Sequence, residues 1–159
     1  MDALLEMLQK DARLSTSQLA ERSGKSEAEI VQMLADAVEA GTILGFHAVV
    51  DPDKVERHSV SALIEVKLTP ERDGGFDRLA QRIAKFDQVT SCFLMSGGYD
   101  LTVIVEGSDL RDVARFVSEK LSTIEGVLST ATHFQLKVYK QSGFLASDHT
   151  PDERLSVSP

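Results

Sequence analysis

A single cysteine, Cys92, excludes an internal disulfide, and with no second thiol a structural zinc site lacks its usual ligands. Cys92 is expected as a buried thiol rather than a reactive one. The four histidines, His47, His58, His133 and His149, are scattered without metal-ligand spacing, so no metal site is expected. No stretch approaches the roughly 20 apolar residues that span a bilayer. Residues 1–8 also lack the basic segment and long apolar run of an export signal, which predicts a cytoplasmic protein with no membrane partner. GxSxG, P-loop and dinucleotide fingerprints are missing, and no serine or cysteine sits in a nucleophile signature. The expectation is no enzyme and no cofactor. A basic arm or tail is missing too: 17 Lys and Arg stand against 25 Asp and Glu, a net charge of −8, so any nucleic-acid contact must be local.

What is present is the balance of an ordinary globular protein, 159 residues with 42% hydrophobic and 26% charged, enough for one good core or two small ones. Three helical segments come first. Leu4, Leu5 and Leu8 share a stripe at spacings of three and four, with Met7 at its edge. Ser15 and Gln18 have the spacing of a capping box and open a short helix with Leu19 and Ala20 against the core; Gly24 breaks it. Ser26 and Glu29 repeat the pattern and start a helix through Ile30, Val31, Leu34, Ala37 and Val38 that stops at Gly41. Helix, short helix, glycine turn and helix is the layout of a helix-turn-helix.

Residues 42–50 read as a β segment, with Ile43, Leu44, Phe46, Val49 and Val50, and Asp51-Pro52 ends it as a turn. The polar stretch 53–58 marks the domain boundary. Beyond it the order is strand 60–68, helix 76–86, strand 89–96, strand 101–106, helix 110–121 and a long strand 127–139. Gly97 and Gly98 are read as the tight turn between the middle strands, and Gly126 as the entry to the last. The fold class is therefore α+β: an N-terminal helix-turn-helix, winged-helix-like, followed by a C-terminal ferredoxin-like βαββαβ domain. The domains are placed at 1–50 with the β segment as a linker strand, a linker at 51–58, the ferredoxin-like domain at 59–140, and an extended or disordered tail at 141–159.

Two helices cover only one face of a four-stranded sheet, so the composition of the other face decides whether the domain is stable alone. Val60, Ala62, Ile64, Val66 and Leu68 share one face of the first strand, and Ser61, Leu63, Glu65 and Lys67 the other. The third strand puts Leu101, Val103 and Val105 opposite Thr102, Ile104 and Glu106. Apolar residues on both sides, Leu63 and Ile104 included, predict self-association through the uncovered face.

In this order and spacing the chain resembles the Lrp/AsnC, or feast/famine, family of transcriptional regulators over residues 1–140. The resemblance is carried by Lys10-Asp11-Ala12-Arg13-Leu14-Ser15, by residues 41–52, by Ser96-Gly97-Gly98-Tyr99-Asp100, and by the strand opening at Gly126-Val127-Leu128-Ser129-Thr130-Ala131-Thr132. It implies binding to double-stranded DNA, a linker strand that pairs with its mate in a homodimer, and four dimers closed into an octamer. It also implies an effector site, for an amino acid or related small molecule, at the junction between dimers. There Gly97, Gly98, Tyr99 and Asp100 would face the ligand, with exposed N–H groups and a carboxylate for an ammonium group. The structural alternative is that the glycines satisfy a hairpin and Asp100 fixes the turn. Thr130 and Thr132 either reach the same pocket or bond across the sheet.

One departure concerns the recognition helix, where the family commonly carries arginines. Residues 26–40 hold no Lys or Arg and four acids, Glu27, Glu29, Asp36 and Glu39; the usual basic positions are Gln32, Met33, Ala35 and Asp36. A net −4 there repels phosphate and argues against tight binding in the usual mode. The DNA contacts left are Ser23 in the turn, Lys25 and Ser26 at the helix N-terminus, Gln32, and the flanking Lys10, Arg13 and Arg22. The structural reading of these is solvated surface, with Ser26 occupied as a cap. Two rival functions follow: an effector-binding oligomeric scaffold with weak or no DNA binding, and an enzyme like the tetrapyrrole decarboxylases that look similar in two-domain build. His47 and Arg57 are too few basic groups for the anionic substrate of the latter.

Overall fold

A computed structural model describes residues 2–56, 59–70 and 75–146 of the chain. It divides into two compact units between Ala48 and Val49.

The first unit holds three helices, α1 (Asp2–Lys10), α2 (Thr16–Ser23) and α3 (Glu27–Glu39). Both capping boxes form. Ser15 accepts from the N–H of Gln18 while the Gln18 side chain accepts from the N–H of Ser15, and Ser26 and Glu29 do the same, so orphan donors at both helix starts are satisfied. Gly24 ends α2 in the left-handed region at φ 69°, a conformation that a side chain disfavours. The stripes then meet in one small core: Leu4, Leu8, Leu19, Ala20 and Ile30 are buried, with Met7, Leu14, Met33, Leu34 and Ile43 packed around them.

Residues 42–50 do not form the expected strand. A strand is a ladder of hydrogen bonds to a neighbour, and among the described residues none is paired with this segment, which leaves Leu44 95% exposed beside exposed Phe46 and Val50. After it Asp51 caps a single 3-10 turn, Pro52–Lys54, by accepting from the N–H of Asp53. Arg57 and His58 lie outside the described residues.

The second unit is a four-stranded antiparallel sheet under two helices: β1 (Val60–Leu68), α4 (Asp77–Ala84), β2 (Val89–Leu94), β3 (Leu101–Gly107), α5 (Leu110–Arg115) and β4 (Val127–Phe134). The order β2-β3-β1-β4 puts the first and third strands in the middle, as a ferredoxin-like fold requires. Alternation does its expected work on β1, where Ala62, Ile64, Val66 and Leu68 are buried. Leu101, Val103 and Val105 join them beneath Leu79 and Ile83 of α4 and Val113, Phe116 and Leu121 from the second helical segment. Phe86 and Phe116 meet edge-to-face at 5.4 Å. That second helix was expected as one element over 110–121; it changes at Phe116 into a π-helical turn, Phe116–Leu121.

Three boundaries differ from expectation for reasons of pairing. The last strand ends at Phe134 rather than Tyr139, because Ala62 pairs with Phe134 and the carbonyl of Ser61 accepts from Gln135, after which β1 has almost run out. The middle hairpin is not closed by a tight turn at Gly97-Gly98: Leu94 pairs with Leu101, and residues 95–100 form a longer loop. Past residue 140 the chain is not simply extended, since β5 (Lys140–Gln141) pairs with β6 (Phe144–Leu145); residues 147–159 lie outside the described part. Gly126, entering β4, has φ 96°, and a Cβ there would stand 2.7 Å from Cδ1 of Leu79. No described helix is long and apolar enough to cross a membrane.

Candidate functional site

The candidate DNA contacts fall into two groups. Ser26 and Gln32 are occupied within α3: the Ser26 hydroxyl donates to Glu29 at 2.7 Å and caps the helix, and the Gln32 amide donates to Asp36, also at 2.7 Å. The hydrogen bonds from Ser26, backbone first and then side chain, hold the Glu29 carboxyl below its ordinary pKa against a small desolvation effect, with Lys25 assisting. Ser23 is likewise engaged, its hydroxyl donating to the carbonyl of Ala20.

The cations form the second group. Lys10 at the end of α1, Arg22 at the end of α2 and Lys25 just past Gly24 line one cleft of ≈ 340 Å³ whose walls include Leu4, Met7 and Met33. Glu6 is the acid among its lining residues, and none of the three cations forms an ion pair with a described residue. Arg13 lies outside this cleft, on an exposed turn where its N–H donates to Asp11. Three positive charges from three segments therefore converge although no two are adjacent in sequence. Basic residues at consecutive helix ends were the signal available for this; the apolar walls, Met7 and Met33, carried none.

In the second unit the loop of Gly97, Gly98, Tyr99 and Asp100 is pinned at Asp100. The Asp100 carbonyl accepts from Met95 at 2.8 Å, its N–H donates to Val66 at 3.0 Å, and its Oδ2 accepts from Leu68 at 2.7 Å. Tyr99 is held from the other side, its hydroxyl accepting from Thr102 at 3.2 Å over an otherwise buried position. Gly97 and Gly98 between these anchors are exposed, and among the described residues none accepts from their N–H groups. Thr130 and Thr132 pair with Val66 and Ile64, which places them on the helix-covered side of the sheet. Thr130 lies at the loop's end of the sheet, its hydroxyl 3.4 Å from that of Ser122; Thr132 is one pair further away. Ser122 and the Leu68 N–H were not foreseen, because each enters through tertiary pairing. Cys92 is half-buried, its thiol pushed above the ordinary pKa by burial, with Sγ 3.9 Å from the carbonyl of Ala80.

Comparison with known proteins matches both units. Residues 3–43 match the winged helix-turn-helix DNA-binding family, and residues 61–145 match the Lrp/AsnC ligand binding domain. The chain is 42% identical over 157 residues to YugG of Bacillus subtilis (strain 168), an uncharacterized HTH-type transcriptional regulator, covering 98% of this chain and 95% of that one. It is 33% identical over 140 residues to a proline dehydrogenase transcriptional activator of Rhizobium radiobacter, covering 88% and 89%. Among solved structures it is similar to a transcriptional regulator of Neisseria meningitidis in complex with L-Met, with a TM-score of 0.65, 27% identity and coverage of 87% and 88%.

Proposed function

The chain belongs to the Lrp/AsnC family of transcriptional regulators, and on that basis we propose how this member uses its two units. It is a ligand-modulated DNA-binding regulator. In our reading it holds DNA by local phosphate contacts from Lys10, Arg22 and Lys25, with Arg13, Ser23 and the N-terminus of α3 at Ser26 beside them. Gln32 reaches a base edge only after giving up Asp36. It acts by binding rather than catalysis, in the cytoplasm.

The effector in this reading is an amino acid or a close analogue. Gly97 and Gly98 offer their N–H groups to its carboxylate, Asp100 turns its remaining oxygen, Oδ1, to the ammonium group, Tyr99 borders the site from the uncovered side of the sheet, and Thr130, with Thr132 behind it, from the helix-covered side. The L-Met bound by the Neisseria meningitidis regulator supports this class of ligand. Homodimers form through the open sheet face and through pairing of residues 42–50, a segment with exposed Leu44 and Phe46 and no strand partner among one chain's described residues, and four dimers close into an octamer. The working domain division is 1–50, 51–58, 59–140 and 141–159.

The observation that carries the proposal is the convergence on one cleft of the helix-turn-helix of three cations, none in an ion pair with a described residue, in a chain of net charge −8. Its test is binding to fragments of the upstream region of its own gene at low and moderate salt, with and without each common amino acid. Weak, salt-sensitive binding altered by one amino acid is expected; no binding at either salt sinks the DNA-binding half and leaves the scaffold.

A further inference from the structure

The cleft that gathers Lys10, Arg22 and Lys25 has a chemistry that phosphate contact alone does not use. Its apolar walls are Leu4 and Met7 of α1 and Met33, the residue that α3, a helix with no cation of its own, contributes to the lining. Leu4 is buried, and Met7 and Met33 are half-buried at the margin of the helical unit's core. Against a hydrated phosphodiester backbone such side chains gain nothing, whereas an apolar group laid over them removes both surfaces from water.

The charge over these walls is one-sided. Three cations meet one acid, Glu6, which leaves a surplus of two positive charges in the cleft. Glu29, whose carboxylate feels Lys25, is committed to the N–H and hydroxyl of Ser26 and is not among the lining residues. Lys10 and Arg22 stand in the last turns of α1 and α2, where a cation offsets the negative end of the helix dipole. That accounts for each singly but not for their meeting over one apolar floor. The volume of ≈ 340 Å³ falls at the small end of ligand sites, about 300–1,000 Å³. The unbranched thioethers of Met7 and Met33 adapt to an inserted body and make favourable sulfur contacts with an aromatic ring.

We propose that this cleft binds a small organic phosphate monoester with an aromatic body: Lys10, Arg22 and Lys25 hold the phosphate, and the ring lies between Met7 and Met33. A monoester carries about −1.5 to −2 charges at neutral pH, which matches the surplus. A free amino acid does not match it, because its ammonium group would be brought toward the cations. The site is therefore chemically different from the effector loop at residues 97–100, which belongs to the other unit. Its consequence rests on the reading that the same three cations hold DNA: a bound monoester occupies them, so DNA is released without any signal from the effector loop.

The methionines supply the test, since Met7 and Met33 line the cleft while Met95 adjoins the effector loop. In the full chain with isotope-labelled methionine methyls, assigned through Met7→Leu and Met33→Leu variants, phenyl phosphate should shift the NMR signals of Met7 and Met33 and leave Met95 in place. A dissociation constant of about 1 mM or tighter is expected. Inorganic phosphate, which lacks the ring, should bind at least tenfold more weakly, and Met33→Gln, followed through Met7, should remove most of that difference with the circular dichroism spectrum unchanged. Unshifted Met7 and Met33 signals at about 10 mM phenyl phosphate overturn the site, and so does equal binding of the two phosphates, which would leave a bare anion contact. Fluorescence anisotropy of the upstream DNA fragment, followed in the same titration, should show displacement. Methyl shifts without displacement of bound DNA keep the site but overturn the shared cations, and with them the cleft as the DNA contact. Salt-sensitive DNA binding without methyl shifts overturns the site and leaves the DNA reading standing.

Discussion

The carboxylate of Asp100 accepts from the N–H of Leu68 at 2.7 Å, standing in for the backbone carbonyl that β3 no longer supplies where it turns away from β1. Together with the bond from the Asp100 N–H to Val66, it extends the ladder by one side chain and fixes where the Gly97-Gly98 loop begins. Of the two roles weighed for this residue, the turn anchor is met by Oδ2, and the ligand role we propose rests on Oδ1.

Replacing Asp100 by Ala should destabilise the sheet unit by about 1–3 kcal/mol, because a charge-assisted acceptor is lost and the Leu68 N–H is stranded. Asp100→Asn keeps an acceptor and should fold with a smaller loss, yet bind the amino-acid effector roughly tenfold more weakly, a fold-change of about 1.4 kcal/mol. Denaturant unfolding and calorimetry separate the effects. An Asn variant with full effector affinity would leave Asp100 as a turn anchor alone.

The depressed Glu29 pKa makes a pH prediction for the helical unit. A carboxyl whose folded pKa lies below its reference value of 4.5 contributes stability that is fully present above that value and disappears as pH falls through the folded pKa. Glu29→Gln retains the reciprocal bond, as Gln18 does in the first box, but cannot titrate. The stability difference between parent and variant should therefore be greatest above pH 4.5 and shrink below it. Thermal unfolding at pH 3.5 and 7, both chosen for this comparison, measures it; a difference independent of pH would remove the electrostatic account. Ser26→Ala, which abolishes the cap and the hydroxyl's bond to the Glu29 carboxylate, should cost about 1 kcal/mol above pH 4.5 and less below it.

Local chemistry was legible in the sequence. The capping boxes at Ser15 and Ser26, the break at Gly24 and the alternation of β1 each depend on residues a few positions apart, and each formed as read. What was not legible depends on partners distant in sequence or outside the single chain. Residues 42–50 have the composition of a strand but no described neighbour to pair with, and the pattern through Tyr139 outlasts the strand beside it. The candidate site was partly legible for the same reason: the loop residues could be named, but the bond from Leu68, 32 positions away, could not.

Gly126→Ala tests how tightly α4 meets the entry to β4. The new Cβ would lie 2.7 Å from Leu79 Cδ1 on a backbone at φ 96°, so both packing and backbone strain act against it. A loss of about 1–3 kcal/mol is expected from overpacking, and a fully stable variant in urea unfolding would mean that Leu79 yields without cost.

The electrostatics of the helix-turn-helix give the sharpest test of how an acidic recognition helix is used. If Lys10, Arg22 and Lys25 each neutralise a phosphate, changing any one to Gln should lower affinity similarly for every sequence and reduce the slope of log affinity against log salt by about 1. Asp36→Ala should act oppositely: it removes a repulsive charge and releases the Gln32 amide, which now donates to Asp36 at 2.7 Å, so affinity should rise. Because Gln can pair bidentately with adenine, donating to N7 and accepting from the N6 amino group, that gain should be larger on some sequences than on others. Fluorescence anisotropy across a salt series, on the upstream fragment and an unrelated one, distinguishes the two kinds of change. Slopes that ignore all three cations would move the contact surface away from the cleft, whereas an Asp36 variant that gains equally on both fragments would leave Gln32 without a role in reading sequence.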